Sequence, residues 1–231
     1  MKPTIFICTH KDFDLPVKSS NYQILDSRKI TVDLPFDDKF YSELFQYKYV
    51  YDNLDIPSYI GFCHYRRYFS FMDEIPSIDG DKVIVTKPMV FNGTVRQHYA
   101  YYHNIDDIKL IEKIIKEKYS EYYDTCERFL DGTYFIPCNM FIMSSSRFKQ
   151  YIEFIFGVMD EYLKIIKYDI EGRINKNKYK YIKNFHPNNT FEYQYRIGGY
   201  IMERLTNIFI LKNFKMKDIE FYDMVITEDK Y

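Results

Sequence analysis

Short apolar runs that break off in polar or charged clusters alternate along the chain with stretches of helical periodicity. This alternation limits the fold more than any other feature. Thr4 to Thr9 is apolar and β-branched, then yields at once to His10, Lys11 and Asp12. Ser58 to Cys63 is a second such run, closing on His64-Tyr65-Arg66-Arg67, and Lys82 to Thr86 is a third, halted at Pro88. Runs of this length bounded by turn residues read as buried strands. Between them, Phe40 to Asn53 reads as a helix with Leu44, Tyr47 and Tyr51 on one face and Asp37 or Asp38 as its cap. Asp106 to Tyr119 carries Ile108, Ile111 and Ile115 on one stripe, with Lys113, Lys116 and Glu117 outside. Tyr134 to Met143 reads as a strand, and Ser144-Ser145-Ser146 as the cap of a helix ending near Ile166. Phe191 to Ile210 then reads as a long helix and Met216 to Ile226 as a last strand region. Lys167 to Asn189, rich in lysine and asparagine, reads as a mobile loop. Strands alternating with helices give an α/β fold with a mostly parallel central sheet flanked by helices. The 231 residues show no internal repeat and no linker, so a single domain over residues 1–231 is expected.

Composition removes several functional classes. A net charge of −1 argues against a nucleic-acid binder, which carries a basic excess or stripe. No apolar run reaches the ~18–20 residues of a membrane span, and the stretch from Met1 to Cys8 is too short for a secretory signal. Cys8, Cys63, Cys126 and Cys138 form no close pair and sit in apolar runs, which reads as buried thiols in a reducing cytoplasm. The 25 Tyr and 20 Phe, with no Trp, fit either a compositional bias or a surface of tyrosines that stack on sugars or bases.

In open α/β sheets ligands bind beyond the carboxyl ends of the strands. Thr9-His10-Lys11 and His64-Tyr65-Arg66-Arg67 both fall there. Arginine matches phosphate oxygens in a fork, although two adjacent arginines in an extended chain point apart, so at most one is aimed into a site. The alternative is a surface pair bridging acidic neighbours. Asp79-Gly80-Asp81 spells a metal-binding pair but precedes its strand, and reads as a turn. His98 and His103 are five apart and do not share a helix face as a zinc pair would. Arg196, Gly199 or Tyr200, and Glu203 line one side of the last helix, where Gly198-Gly199 marks close approach of a ligand or another backbone. Glu203 is a candidate general base, or else the partner of Arg196 or Arg204; His103 and Glu192 are other candidates.

Several blocks stand in order along the chain. They are Thr9-His10-Lys11, Tyr41-Ser42-Glu43-Leu44, and Gly61-Phe62-Cys63-His64-Tyr65-Arg66-Arg67-Tyr68-Phe69. His98-Tyr99 with His103, Tyr134, and Asn139-Met140-Phe141-Ile142 follow, then Tyr193-Gln194-Tyr195-Arg196, Gly199-Tyr200 and Glu203-Arg204-Leu205. Together these blocks resemble a bacterial family of capsular polysaccharide and O-antigen synthesis, long a domain of unknown function and since treated as glycosyltransferases, with the His-Tyr-Arg-Arg-Tyr-Phe block the specific one.

The resemblance implies a single-domain type A glycosyltransferase-like fold. It implies a hexosyltransferase using a UDP-sugar, with galactofuranosyl a candidate group and a capsular or O-antigen glycan, or its lipid-linked precursor, as acceptor. A β-product from an α-linked donor makes the step an inverting one. Thr9, His10 and Lys11 then border the nucleotide, His64, Arg66 and Arg67 the diphosphate, and Glu43 the donor ribose or sugar, with Tyr65 also binding the donor. Asn139, Arg196 and Glu203 lie on the sugar and acceptor side, with Glu203 or His103 as base. No tightly bound cofactor and no metal are expected, since cations stand where many such enzymes place an acidic metal motif. The expected location is cytoplasmic, with peripheral association at the inner face of the membrane left open. The alternative class is a non-catalytic nucleotide- or glycan-binding module that partners another transferase. Tyr65, Tyr68, Tyr99, Tyr134, Tyr195 and Tyr200 are the tyrosines placed to stack on uracil or a sugar.

Overall fold

A computed structural model describes residues 1–177 and 190–227. Strand β1 (Thr4–Thr9) pairs parallel with β2 (Tyr22–Asp26), setting Thr9 beside Asp26. Helices α1 (Asp38–Tyr41) and α2 (Leu44–Asn53) lead into β3 (Tyr59–His64), which lies parallel to β1 on its other side. The chain folds straight back into β4 (Arg67–Phe69), with His64 opposite Arg67. Strands β5 (Val83–Thr86) and β6 (Met89–Val90) precede helices α3 (Val95–Tyr102), α4 (Ile105–Lys118) and α5 (Tyr123–Leu130). Next come β7 (Tyr134–Phe135), antiparallel to β6, and β8 (Phe141–Ser144), antiparallel to both β3 and β5. The remainder is α6 (Ser145–Ile165), α7 (Ile170–Asn177), α8 (Phe191–Tyr195), α9 (Ile197–Asn213), β9 (Ile219–Tyr222) and β10 (Met224–Ile226).

The main sheet runs β2-β1-β3-β8-β5-β9, and β4 with β10 forms a ribbon at the end of β3. The parallel pairings β1–β2, β1–β3 and β5–β9 make up the greater part of the ladder. Strand β8 is reversed, so its amino end meets the carboxyl ends of β1, β2, β3 and β5. That edge is where this fold can hold a ligand.

Both faces of the sheet are covered, which is why its strands read as unbroken apolar runs. Phe6, Cys8, Ile60, Phe62, Phe141 and Met143 face the larger core with α2, α4, α6 and α9. Ile5, Ile7, Cys63, Ile84 and Ile142 face a smaller one with Tyr68 and Phe69. Rings account for much of the larger core. Tyr47 stacks on Phe62, Phe62 meets Phe148 at 5.2 Å, and Tyr151 bridges Phe141 and Phe209 at 4.8 and 5.4 Å. Such pairs contribute about 0.5–1.5 kcal/mol beyond their burial.

Four departures from the sequence reading bear on the site. The Phe40–Asn53 helix is broken at Ser42, whose φ is +53°. The break fits the glycines of α9: a Cβ on Gly198 would sit 2.7 Å from the Phe40 carbonyl oxygen, and one on Gly199 2.5 Å from Ser42 Oγ. The glycine pair therefore serves another backbone. Tyr134–Met143 is two strands, separated by Cys138 and Asn139 at φ +75° and +52°. The long last helix is split at Arg196 into α8 and α9.

The fourth departure is the segment read as a loop, which carries α7 in its first part. The Asp169 carboxylate accepts from the Gly172 amide at 2.9 Å, Ile170 is buried, and Arg173 ion-pairs with buried Asp107. Capping and a tertiary anchor thus outweigh the polar composition. Residues 178–189 lie outside the described residues.

Candidate active site

The carboxyl ends of β1 and β3 gather cations around one ring. Tyr65, 3% exposed, has Lys11 Nζ 5.2 Å and Arg66 Cζ 5.1 Å from its centroid, and the His10 ring edge-on at 5.3 Å. The ring is a platform for charge. Thr9 shapes the approach: its hydroxyl donates to the Lys11 carbonyl at 2.6 Å and accepts from the Lys11 amide at 3.1 Å. Gln46 of α2 ties the ends of β1 and β2 together, donating to the carbonyls of Thr9 and Leu25 at 2.9 and 3.1 Å.

His64 and Arg67 lie opposite each other across the tight turn into β4. Because β4 doubles back at once, Arg66 and Arg67 both act on the same imidazole. Burial, then Arg67, then Arg66 bring the His64 pKa down to about 3, leaving a neutral ring. Its Nδ1 is buried and has no hydrogen-bond partner among the described residues. Arg196, at the start of α9, adds charge from the far side: its guanidinium reaches Ser42 Oγ at 3.5 Å, lies 5.8 Å from the Tyr200 ring, and helps hold His10 and His64 unprotonated.

Two carboxylates are held by the loop before β8, and the charge of Arg67 acts on one of them, Glu203. The Cys138 amide donates to Glu203 Oε1 at 2.7 Å, and the Asn139 side-chain amide donates to Glu43 Oε1 at 2.9 Å. Two consecutive residues at positive φ make this divergence available, and Asn is among the few non-glycine residues that tolerate it. Glu203 Oε2 accepts from Arg204 at 3.2 Å, which decides its partner. Burial pushes the Glu203 carboxyl above the usual range, against the pull of Arg204 and the Cys138 amide, and Glu43 adds to the rise. Both carbonyl and amide of the Asn139 side chain are spent inside the protein, since Oδ1 accepts from Thr206 Oγ1 at 2.7 Å.

His98 and His103 lie behind this wall. His103 is 5% exposed, stacked on Tyr193 and 4.3 Å from the Tyr200 ring, with Nδ1 3.4 Å from Gln194 Oε1. Burial and Arg204 lower its pKa to about 3. His98 stacks on Phe91, with Nδ1 3.5 Å from Arg204, and burial and Arg204 bring its pKa to about 4. Glu192 is exposed on α8.

Of the tyrosines expected to stack on a ligand, Tyr68 and Tyr99 are fully buried and cannot. Tyr65 is buried too, with Lys11 and Arg66 over its ring, Tyr195 packs on Phe40 and Tyr134 is exposed on β7, while Tyr200 is half-buried beside Arg196. Asp79-Gly80-Asp81 is a turn at the opposite end of the sheet, with Gly80 at φ +62° and Asp81 bound by Arg147. Among the described residues no group of three or more His, Cys, Asp or Glu is arranged to hold a metal ion. The sequence reading named Arg204 as one of two possible partners of Glu203, and gave Gln46 and Cys138 no part in the site. Only Arg204 left a signal there, as a charge in an apolar helical stretch.

An α/β sheet with this strand order, a cationic rim and an inner pair of carboxylates has the fold of a glycosyltransferase. Its whole length superposes on the apo structure of WbbM, a bifunctional glycosyltransferase, with a TM-score of 0.77 at 20% identity. The chain spans 46% of that protein's chain. By sequence, residues 4–214 match the family described as a domain of unknown function, DUF4422, and the chain belongs to that family. No curated protein matches it. No helix among the described residues is long and apolar enough to cross a membrane.

Proposed function

We propose that this protein is a glycosyltransferase that moves a hexosyl group from a UDP-sugar to a capsular or O-antigen glycan, or to its lipid-linked precursor, with inversion at the anomeric carbon. A lipid-linked acceptor would bring the protein to the inner face of the membrane. The arrangement that carries this reading is the set of cations around Tyr65 and His64 together with the carboxylates of Glu43 and Glu203. Thr9, His10 and Lys11 border the nucleotide. Arg66, Arg67 and Arg196 take up charge as the diphosphate leaves, and neutral His64 donates a hydrogen bond to it. An acceptor hydroxyl gives its proton to a carboxylate and attacks the anomeric carbon as the bond to the diphosphate breaks. Galactofuranose is a candidate for the transferred sugar.

Many type A glycosyltransferases hold a divalent ion on the diphosphate with an acidic pair. The donor set here does not fit one: the ends of β1 and β3 carry imidazole and guanidinium, Glu203 has both oxygens engaged by the Cys138 amide and Arg204, Glu43 is held by Asn139, and the acidic pair lies at the opposite end, with Asp81 bound to Arg147. No step is therefore routed through a metal. The test is UDP release from a panel of UDP-hexoses with octyl hexosides as acceptors. Release with at least one donor is expected. UDP binding by calorimetry without release from any donor would instead assign a nucleotide-binding module.

A further inference from the structure

His10 and His64 lie among cations that oppose taking up a proton, and Glu192 is exposed on α8. The three remaining candidates for a base are separated by their hydrogen bonds. His103 is stacked between Tyr193 and Tyr200, and its Nδ1 faces Gln194. Glu203 has both oxygens engaged, one by the Cys138 amide and one by Arg204, and its side chain is 18% exposed. Glu43 differs. Its carboxylate accepts one hydrogen bond among the described residues, on Oε1 from Asn139, and Oε2 accepts none. It lies at the break between α1 and α2, one residue from Ser42, whose hydroxyl Arg196 reaches. A carboxylate fixed through one oxygen with the other unengaged is the geometry a general base needs.

Asn139 is built to do the fixing. Thr206 Oγ1, whose one proton is shared between Asn139 Oδ1 at 2.7 Å and the Met202 carbonyl at 2.9 Å, sits on the oxygen side of the amide, and Nδ2 donates to Glu43. Thr206 Oγ1 is in turn 2.9 Å from the Tyr151 hydroxyl, and Tyr47 donates to the main-chain carbonyl of Asn139 at 2.8 Å. These partners are buried, so the chain from Tyr151 through Thr206 and Asn139 to Glu43 is a rigid one.

We infer that Glu43 is the general base of the transfer and that Asn139 is the positioning residue that aims it. The inference rests on the glycosyltransferase reading above. In the step, the acceptor O–H proton passes to Glu43 Oε2 and the acceptor oxygen bonds to the anomeric carbon. The carbon–oxygen bond to the diphosphate breaks, and its electron pair leaves with UDP. Glu203, paired with Arg204, keeps its place as a fixed charge in the wall.

The experiment compares wild type, Glu43→Gln, Glu43→Asp and Glu203→Gln in UDP release from the donor that wild type uses, alongside UDP affinity by calorimetry and thermal melting. Glu43→Gln is expected to lower kcat by about 10²–10⁴-fold, keep UDP affinity within about threefold, and remove the acid limb of the kcat–pH profile. Glu43→Asp should recover part of the rate, and Glu203→Gln should keep the limb. A folded Glu43→Gln variant within tenfold of wild type would overturn the assignment, as would loss of the limb in Glu203→Gln alone. If wild type released no UDP from any UDP-hexose, the glycosyltransferase reading itself would fall, and this assignment with it.

Discussion

The side-chain amide of Asn139 donates to the carboxylate of Glu43 at 2.9 Å across 96 positions of sequence. This bond joins the entrance of β8 to the break between α1 and α2, two places where the backbone leaves its regular course at positive φ. The neighbouring Cys138 amide holds Glu203 in the same way, so one irregular pair of residues sets the position of both carboxylates.

Replacing Asn139 by Asp puts a second negative charge against Glu43, and like charges in contact favour protonation. The Asn139→Asp variant should therefore move the acid limb of the kcat–pH profile to higher pH while leaving UDP affinity within about threefold. A profile that does not move would show that Asn139 acts on folding alone.

Gly198 and Gly199 let α9 approach the α1–Ser42 segment at backbone distance. On helix propensity alone, alanine at either position should stabilise by up to ~1 kcal/mol. The clash with the Phe40 ring and carbonyl works against this, and overpacking of this kind costs about 1–3 kcal/mol. Gly198→Ala is expected to be destabilising on balance, with a melting temperature lower by a few degrees, at roughly 2–4 °C per kcal/mol for a chain of this size. A rise in melting temperature would contradict the close packing.

Asp107 is fully buried, bound by Tyr162 and Arg173, with Oδ2 unpartnered among the described residues. Burial raises its pKa to about 6, against the opposing pull of Arg173. A carboxyl whose folded pKa lies above its unfolded one contributes stability in the protonated form, present below about 4 and lost as the pH rises through about 6. The buried imidazoles of His64, His98 and His103 act in the other direction, costing stability as the pH falls below about 6.5. The difference between wild type and Asp107→Asn isolates the carboxyl. Chemical denaturation should show wild type gaining on the variant by about 2–3 kcal/mol between pH 7 and pH 4. A pH-independent difference would mean that Asp107 is not buried with this raised pKa.

The parts of the fold that were legible in the sequence are those governed by apolar periodicity. Thr4–Thr9, Lys82–Thr86 and the isoleucine stripe of Asp106–Tyr119 fall where the structure has β1, β5 and α4. What the sequence hid was set by contacts between distant residues. The break at Ser42 fits the close packing of α9 on α1, and α7 is anchored by Asp107, 66 positions from Arg173. At the site, Thr9, His10, Lys11 and the His64–Arg67 block were legible as polar ends of apolar strands. The hydrogen bonds of Glu43 and Asn139 were not, because they depend on two positive φ values that neither Cys138 nor Asn139 announces.

The central claim is that side-chain cations at the strand ends, and not a divalent ion, take up the charge of the leaving diphosphate. It is tested most directly by UDP release from a UDP-hexose in excess EDTA, with wild type beside Arg66→Ala and Arg67→Ala. Wild-type turnover is expected to be the same with EDTA as with added Mn²⁺. Each arginine variant, with its fold intact by melting, is expected to lose about 10²–10³-fold in kcat, the scale of one donor to a developing oxyanion. Strict dependence of wild type on Mn²⁺, or near-normal turnover in both arginine variants, would contradict it.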